Sequence, residues 1–190
     1  MDRQALVCRN ILEKPDITQR EMAKNMDISL GTVNGLVKEC LAEGYIAEEE
    51  NGKEKHLILL EKGKELLKPY KVDGALIIAA GFGSRFVPLT FETPKGLLEV
   101  FGERMIERQI KQLHEVGIHD ITIAVGYLKE KFEYLIDKFD VRLLYNPEYS
   151  CKNTLATVYR ARKFLKGRNV YILSSDNWMR ENMYHSYECG

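Results

Sequence analysis

Ala75-Leu-Ile-Ile-Ala-Ala-Gly-Phe-Gly-Ser-Arg-Phe-Val-Pro-Leu-Thr90, followed by Phe91-Glu-Thr-Pro-Lys95, is the stretch from which the fold is read. Residues 75–80 form an unbroken apolar run, as expected of a strand buried on both faces of a parallel sheet. The run empties into Gly81-Phe-Gly83, where backbone amides can approach phosphate oxygens without side-chain interference. Arg85 and Lys95 add two cations beside the same loop. The Walker pattern GxxxxGK[ST] is absent, and Phe86 stands where the dinucleotide pattern GxGxxG needs its third glycine. Gly81-x-Gly83 alone would equally mark a tight turn.

Downstream, apolar runs alternate with amphipathic helices, the order of an α/β domain with a parallel sheet. Residues 121–125 predict a strand ending in Gly126-Tyr127, 130–139 an amphipathic helix, and 141–145 a third strand. Residues 155–165 predict a helix headed by Asn153-Thr154, and 170–173 a fourth strand running into Ser174-Ser-Asp176-Asn177.

Upstream the grammar changes. Residues 4–12 predict a first helix; Thr18, three before Glu21, has capping-box spacing and opens a short helix over 19–25. Ser29 is a candidate N-cap for a helix to about Glu43, with an apolar stripe of Leu30, Val33, Leu36, Val37, Cys40 and Leu41. Gly44 stops it, a hairpin centred on Asn51-Gly52 follows, and 62–67 resume helical spacing. Lys68-Pro-Tyr-Lys-Val-Asp-Gly74 separates the two parts, so the expected domains are 1–71 and 74–190.

Helix, helix, turn, helix, hairpin is the order of a winged helix-turn-helix module, and 18–34 resembles the helix-turn-helix segment of MarR-like regulators. That resemblance implies a recognition helix in the major groove of double-stranded DNA, with Ser29, Thr32, Asn34 and Lys38 on its polar face. Lys53, Lys55 and His56 would meet phosphates at the wing. Charge pulls the other way. Residues 1–71 carry 12 basic and 13 acidic side chains, and Glu48-Glu-Glu50 flanks the wing, whereas DNA affinity comes largely from phosphate neutralisation. A dimerisation or protein-contact module remains an open reading, as does a homodimer reading two half-sites.

The longer string 75–95 resembles the signature loop of the nucleoside-triphosphate transferases, the family of sugar-1-phosphate nucleotidylyltransferases and choline-phosphate cytidylyltransferases. Gly102-Glu-Arg-Met-Ile-Glu-Arg-Gln-Ile-Lys-Gln-Leu113 is similar to the family's first helix, and Asn146-Pro-Glu-Tyr149 to a motif of its choline-phosphate branch. Thr154 departs from that branch, where asparagine is more usual.

The resemblance implies a Rossmann-like α/β/α nucleotidyltransferase core behind the winged helix. It also implies transfer of a nucleoside monophosphate from an NTP, CTP favoured, to phosphocholine or a sugar phosphate, with release of pyrophosphate. By the same resemblance Ala80, Gly81, Gly83, Ser84 and Gly126 bind the nucleotide, Arg85 holds the β- and γ-phosphates, and Lys95 stabilises the α-phosphoryl. Asp176 would bind Mg²⁺, a hard cation that favours carboxylate and phosphate oxygens. Asp176 can also be read as a helix cap and Asn153 as the cap of 155–165. An aromatic cage of Trp178, Tyr184 and Tyr187 is the weaker reading of those rings. The family runs on well beyond Gly190, so a core truncated at its C-terminus, without acceptor region or second metal ligand, is expected. The alternative is a transcriptional regulator whose transferase-like half senses a nucleotide.

Composition bounds these readings. The 190 residues are 45% hydrophobic and 29% charged, with 28 basic against 28 acidic side chains. This excludes a disordered or fibrous chain and leaves no overall electrostatic drive toward polyanions. No apolar run reaches the roughly 18 residues of a membrane span. Cys8, Cys40, Cys151 and Cys189 are too scattered for a zinc site and read as reduced thiols of a cytoplasmic protein.

Overall fold

The computed structural model describes residues 1–51 and 54–188, with backbone only at 50, 51, 54 and 55. The chain divides into two compact units: Met1–Lys71 with the chain from Tyr187 onward, and Val72–Ser186.

In the first unit, α1 (Arg3–Glu13) opens on Asp2, whose carboxylate accepts from the Ala5 amide at 2.7 Å. Helix α2 (Gln19–Asn25) carries the expected capping box between Thr18 and Glu21. Helix α3 (Leu30–Ala42) starts at Ser29 and buries Val33, Leu36, Val37 and Cys40, whereas Leu30, read as part of the stripe, lies exposed in the first turn. Gly44 adopts φ +71°, a left-handed conformation that ends the helix without a Cβ penalty. Strands β1 (Ile46–Asn51) and β2 (Glu54–Leu59) pair antiparallel, Ile46 opposite Leu59. The turn read at Asn51-Gly52 falls partly outside the described residues. Helix α4 (Glu61–Leu67) closes the core with fully buried Leu67.

Tyr187 and Glu188, expected with the transferase-like segment, group with this first unit. Tyr187 bridges to Lys71, the Glu188 amide donates to the Tyr70 carbonyl at 2.7 Å, and Arg9 pairs with Glu188 at 2.9 Å.

The second unit is built on a four-stranded parallel sheet. Strand β3 (Gly74–Ala79) is central, with Ala75, Leu76 and Ile77 wholly buried. After it come β4 (Glu99–Val100) and β5 (Glu103–Arg104), a small hairpin not read from the sequence. Its turn places both Phe101 and Gly102 at positive φ, 54° and 79°, so the helix resembling the family's first begins only at Met105. That helix, α5 (Met105–Glu115), leads to β6 (Ile121–Val125), α6 (Tyr134–Phe139) and β7 (Arg142–Tyr145). The amphipathic run from 130 thus begins as a 3₁₀ turn, Lys129–Phe132, before α6. The single helix expected over 155–165 is two, α7 (Thr154–Arg160) and α8 (Arg162–Leu165), broken where buried Ala161 leaves helical geometry at ψ 0°. Strand β8 (Val170–Ser174) ends the sheet.

The strand order is β7-β6-β3-β8. The chain steps outward from β3 to β6 and β7, then returns to the other side of β3 as β8. The direction of winding therefore reverses between β3 and β8, and the carboxyl ends of these strands form the crevice where open α/β sheets bind ligands. Among the described residues no helix is long and apolar enough to cross a membrane.

Candidate functional site

A cavity of about 330 Å³ opens at that reversal point. From the β3 side it is lined by Gly81, Gly83, Ser84, Arg85 and Phe86, and from the β8 side by Ser174, Ser175 and Asp176, with Lys95, Gly96 and Thr154 completing it.

Each element is held for a local reason. Gly83 sits at φ +71°, a conformation L side chains rarely adopt, and turns the chain into the 3₁₀ turn Ser84–Phe86. Fully buried Thr90 donates from its hydroxyl to the Gly83 carbonyl at 3.0 Å. A β-carbon on Gly83 would lie 3.1 Å from the Thr90 methyl and 3.3 Å from Lys95 Cβ, so loop and lysine are packed together. Pro94 precedes the 3₁₀ turn Lys95–Leu97. Gly96 is required there, since a β-carbon would fall 2.8 Å from both Cβ and Oγ of Ser175.

Lys95 is ion-paired with Asp176, and its ammonium lies 4.5 Å from the centroid of the Phe86 ring. Asp176 also accepts from the Ser174 hydroxyl. Burial pushes the Asp176 carboxyl up, but the Lys95 ammonium and the Ser174 hydroxyl outweigh it and hold the group below the usual carboxylate range. Arg85 is exposed beside the loop. The site is thus a glycine loop, two cations and one ionised carboxylate, a set suited to polyphosphate. Among the described residues no three His, Cys, Asp or Glu side chains cluster to hold a metal. A lone carboxylate fits Mg²⁺ in one way: the ion keeps few protein ligands and completes its shell with phosphate oxygens and water.

The structure does not bring every expected residue to the cavity. The Ala80 carbonyl accepts from the Tyr127 amide at 3.1 Å, tying the end of β3 to that of β6. Gly126 is pressed between Tyr149 and Ala80, where a β-carbon would lie 2.6 Å from Tyr149 Cβ and 2.7 Å from the Ala80 oxygen. Neither lines the cavity. Asn153 caps α7, accepting from the Leu155 amide at 3.1 Å. The aromatic cage dissolves into packing: Tyr184 lies in the core of the second unit beside Tyr171, Tyr187 packs in the first, and Trp178 is covered by Arg108 at 4.8 Å. Ser174, Ser175 and Thr154 also line the cavity; read from the sequence, Ser174 and Ser175 carry no site role and Thr154 is only a departure from the family motif.

In the first unit, Ser29 and Thr32 are spent on the α3 cap: the Ser29 hydroxyl accepts from the Thr32 amide at 3.1 Å and meets the Thr32 hydroxyl at 2.8 Å. Asn34 donates to Gln19 at 3.3 Å. Lys38 is exposed on α3, and His56 pairs with Asp16 at 3.2 Å. Lys53 lies outside the described residues, and Lys55 is described only as backbone in β2. A larger cavity in this unit, about 620 Å³, is lined by residues that include Asp16, Thr18, Glu48 and His56, with no lysine or arginine among its described residues.

Residues 74–188 match the family model of the nucleotidyl transferases, and residues 9–47 a model described as winged helix-turn-helix DNA-binding. The chain is 44% identical over 112 residues to a choline-phosphate cytidylyltransferase of Streptococcus pneumoniae, a match covering 59% of this chain and 48% of the relative. It is 43% identical over 103 residues to a 2-aminoethylphosphonate cytidylyltransferase of Lancefieldella rimae, covering 54% and 42%. A solved CTP:phosphocholine cytidylyltransferase from S. pneumoniae superposes with a TM-score of 0.58 at 44% identity, over 61% of this chain and 50% of the other. The chain spans about half the length of the curated relatives it matches.

Proposed function

Given that the chain belongs to the nucleotidyl transferase family, we propose that the β3–β8 cavity binds CTP and that the whole protein transfers its cytidylyl group to phosphocholine. The observation that carries this reading is the convergence of Gly83, Lys95 and Asp176 on one cavity at the point where the sheet reverses. The names of the similar cytidylyltransferases support CTP and a small phosphorylated or phosphonylated amine, in preference to a sugar phosphate.

In the reaction, a phosphate oxygen of the acceptor attacks the α-phosphorus in line. The bond from that phosphorus to the bridging oxygen breaks, and pyrophosphate leaves with the electron pair. No protein nucleophile is needed, so positioning and charge neutralisation supply the rate. Gly81, Gly83 and Ser84 present backbone amides to the triphosphate, and exposed Arg85 neutralises its β- and γ-phosphates. Lys95 faces the α-phosphoryl, where negative charge builds. Before nucleotide binds, Lys95 and Asp176 satisfy each other; a triphosphate offers Lys95 a new partner and frees the carboxylate. Asp176 would then hold Mg²⁺, which supplies further positive charge against the phosphates when bound.

For the first unit we propose that α3 reads double-stranded DNA as one half of a homodimer, with Lys38 at the backbone. The winged-helix match supports the DNA-binding part of this reading. The cytoplasm is the proposed setting, one in which thiols such as those of Cys8 and Cys40 stay reduced.

The test is a steady-state assay of pyrophosphate release from CTP with phosphocholine and, separately, glucose 1-phosphate, using the whole protein and its Lys95→Ala variant. Release that depends on phosphocholine and is lost in the variant is expected. Release that survives Lys95→Ala unchanged would remove Lys95 from the mechanism.

A further inference from the structure

We propose that Gln109 is a positioning residue for Asp176, an inference that rests on the reading of the β3–β8 cavity as a nucleotide site. Gln109 is 1% exposed on the inner face of α5. Its neighbours Ile106, Ile110 and Leu113 are wholly buried and apolar, while Gln112, three positions on, is buried and polar as well. A residue serving only to fill that core would be apolar too, because burying an amide is costly unless it is hydrogen-bonded.

The NH₂ end of the amide has such bonds, though its buried Oε1 has none among the described residues, and they flank one residue pair. Nε2 donates to the Ser174 carbonyl at 2.9 Å and to the Asn177 carbonyl at 2.7 Å. Both partners are carbonyl oxygens, so only the NH₂ end of the glutamine can serve, and both its protons are used. The two acceptors bracket Ser175 and Asp176, a turn just past β8 whose Ser175 amide still donates to the Ile78 carbonyl of β3 at 3.1 Å, so Gln109 braces the turn from the helix side. The same helix continues the seam: Arg108 donates to the carbonyls of Met179 and Arg180 at 2.6 and 2.5 Å, and Gln112 to Met179 at 3.2 Å. Gln109 therefore helps to fix the turn that presents the carboxylate to the cavity, together with the Ser175–Ile78 bond and the Lys95 pair, and a ligand group is effective only when its supporting contacts hold its orientation.

The experiment is calorimetric titration with CTP, in MgCl₂ and in EDTA, of the unaltered chain, Gln109→Met, Gln109→Glu, Asp176→Asn and the Gln109→Met/Asp176→Asn pair. Gln109→Met keeps the volume and removes the donors; Gln109→Glu keeps the shape and turns an acceptor toward the carbonyls, so either folded variant suffices. Magnesium-dependent affinity is expected to fall about tenfold or more in the Gln109 variants, while binding in EDTA stays within about twofold of the unaltered chain. The paired variant is expected to bind no more weakly than Asp176→Asn alone. Equal losses in MgCl₂ and EDTA, or full additivity in the pair, overturn the inference and leave the nucleotide site standing. No magnesium-dependent CTP binding by the unaltered chain overturns both.

Discussion

Lys95 and Asp176, 81 positions apart in the chain, form an ion pair in the wall of the β3–β8 cavity. Each is only partly exposed, so neither charge is left to water alone. In the whole protein, Lys95→Ala is expected to lower pyrophosphate release by roughly 10²–10³, the scale for losing one preorganised charge-stabilising donor. Circular dichroism should stay unchanged, and initial-rate kinetics at saturating CTP give the number.

The pair has a defined pH window. Asp176 is held below its ordinary carboxyl value of 3.8 in the folded chain. Its contribution is therefore present above that value and is lost as pH falls through the lower, folded one. Urea midpoints of the unaltered chain and Asp176→Asn, compared from pH 7 to pH 3, should differ by a constant amount down to about pH 4 and converge below it. Convergence already at pH 6 would show that Asp176 is not the titrating group.

At the alkaline end the sign reverses. Burial first, and then Tyr171, push the Tyr184 hydroxyl up to about 12 from 10.0. A raised value favours the neutral form in the fold, so this stability is complete below pH 10 and disappears as pH rises toward 12. Tyr184→Phe is expected to resist unfolding between those values, followed by near-ultraviolet dichroism, and to match the unaltered chain at pH 8.

Gly96→Ala forces a β-carbon to within 2.8 Å of Ser175. Overpacking of this kind costs about 1–3 kcal/mol, and Ser175→Gly should return much of it. A chemical-denaturation cycle over the four proteins measures the coupling; strict additivity would mean that the two residues do not share the strain.

Residues 1–71 carry slightly more acidic than basic side chains, so the affinity of the first unit for DNA should be only weakly salt-dependent. Removing the exposed Lys38 as Lys38→Ala should reduce the slope of log K against log salt by about 1 if it meets one phosphate. Fluorescence anisotropy with a labelled duplex gives the slope, and an unchanged value takes Lys38 off the interface.

What was legible in the sequence was local. Thr18 and Glu21 stand at capping-box spacing, and the box is present; Ser29 precedes an apolar stripe, and it caps α3. The apolar run from Ala75 is a buried central strand because a doubly covered strand has no polar face to show. What escaped depends on pairing between distant segments. Nothing near Ser174 and Ser175 announces that β8 returns beside β3, so their place in the cavity wall was hidden. Ala161 has high helical propensity, yet the helix breaks there, at a residue buried in one cluster with Leu76 and Ala124, a tertiary setting that propensity does not foresee. Gln109 left a readable trace: a polar residue within the spacing Ile106, Ile110, Leu113, where the helix should have been apolar.

The central claim is that main-chain amides of the Gly81–Gly83 loop, with Arg85 and Lys95, grip a triphosphate at the end of β3. Isothermal titration of the unaltered chain with CTP, cytidine and MgCl₂ tests it most directly. Saturable heat with CTP, none with cytidine, and loss of the CTP signal in an Arg85→Ala/Lys95→Ala variant are expected. Absence of saturable heat with CTP and with each of the other three ribonucleoside triphosphates would contradict the account.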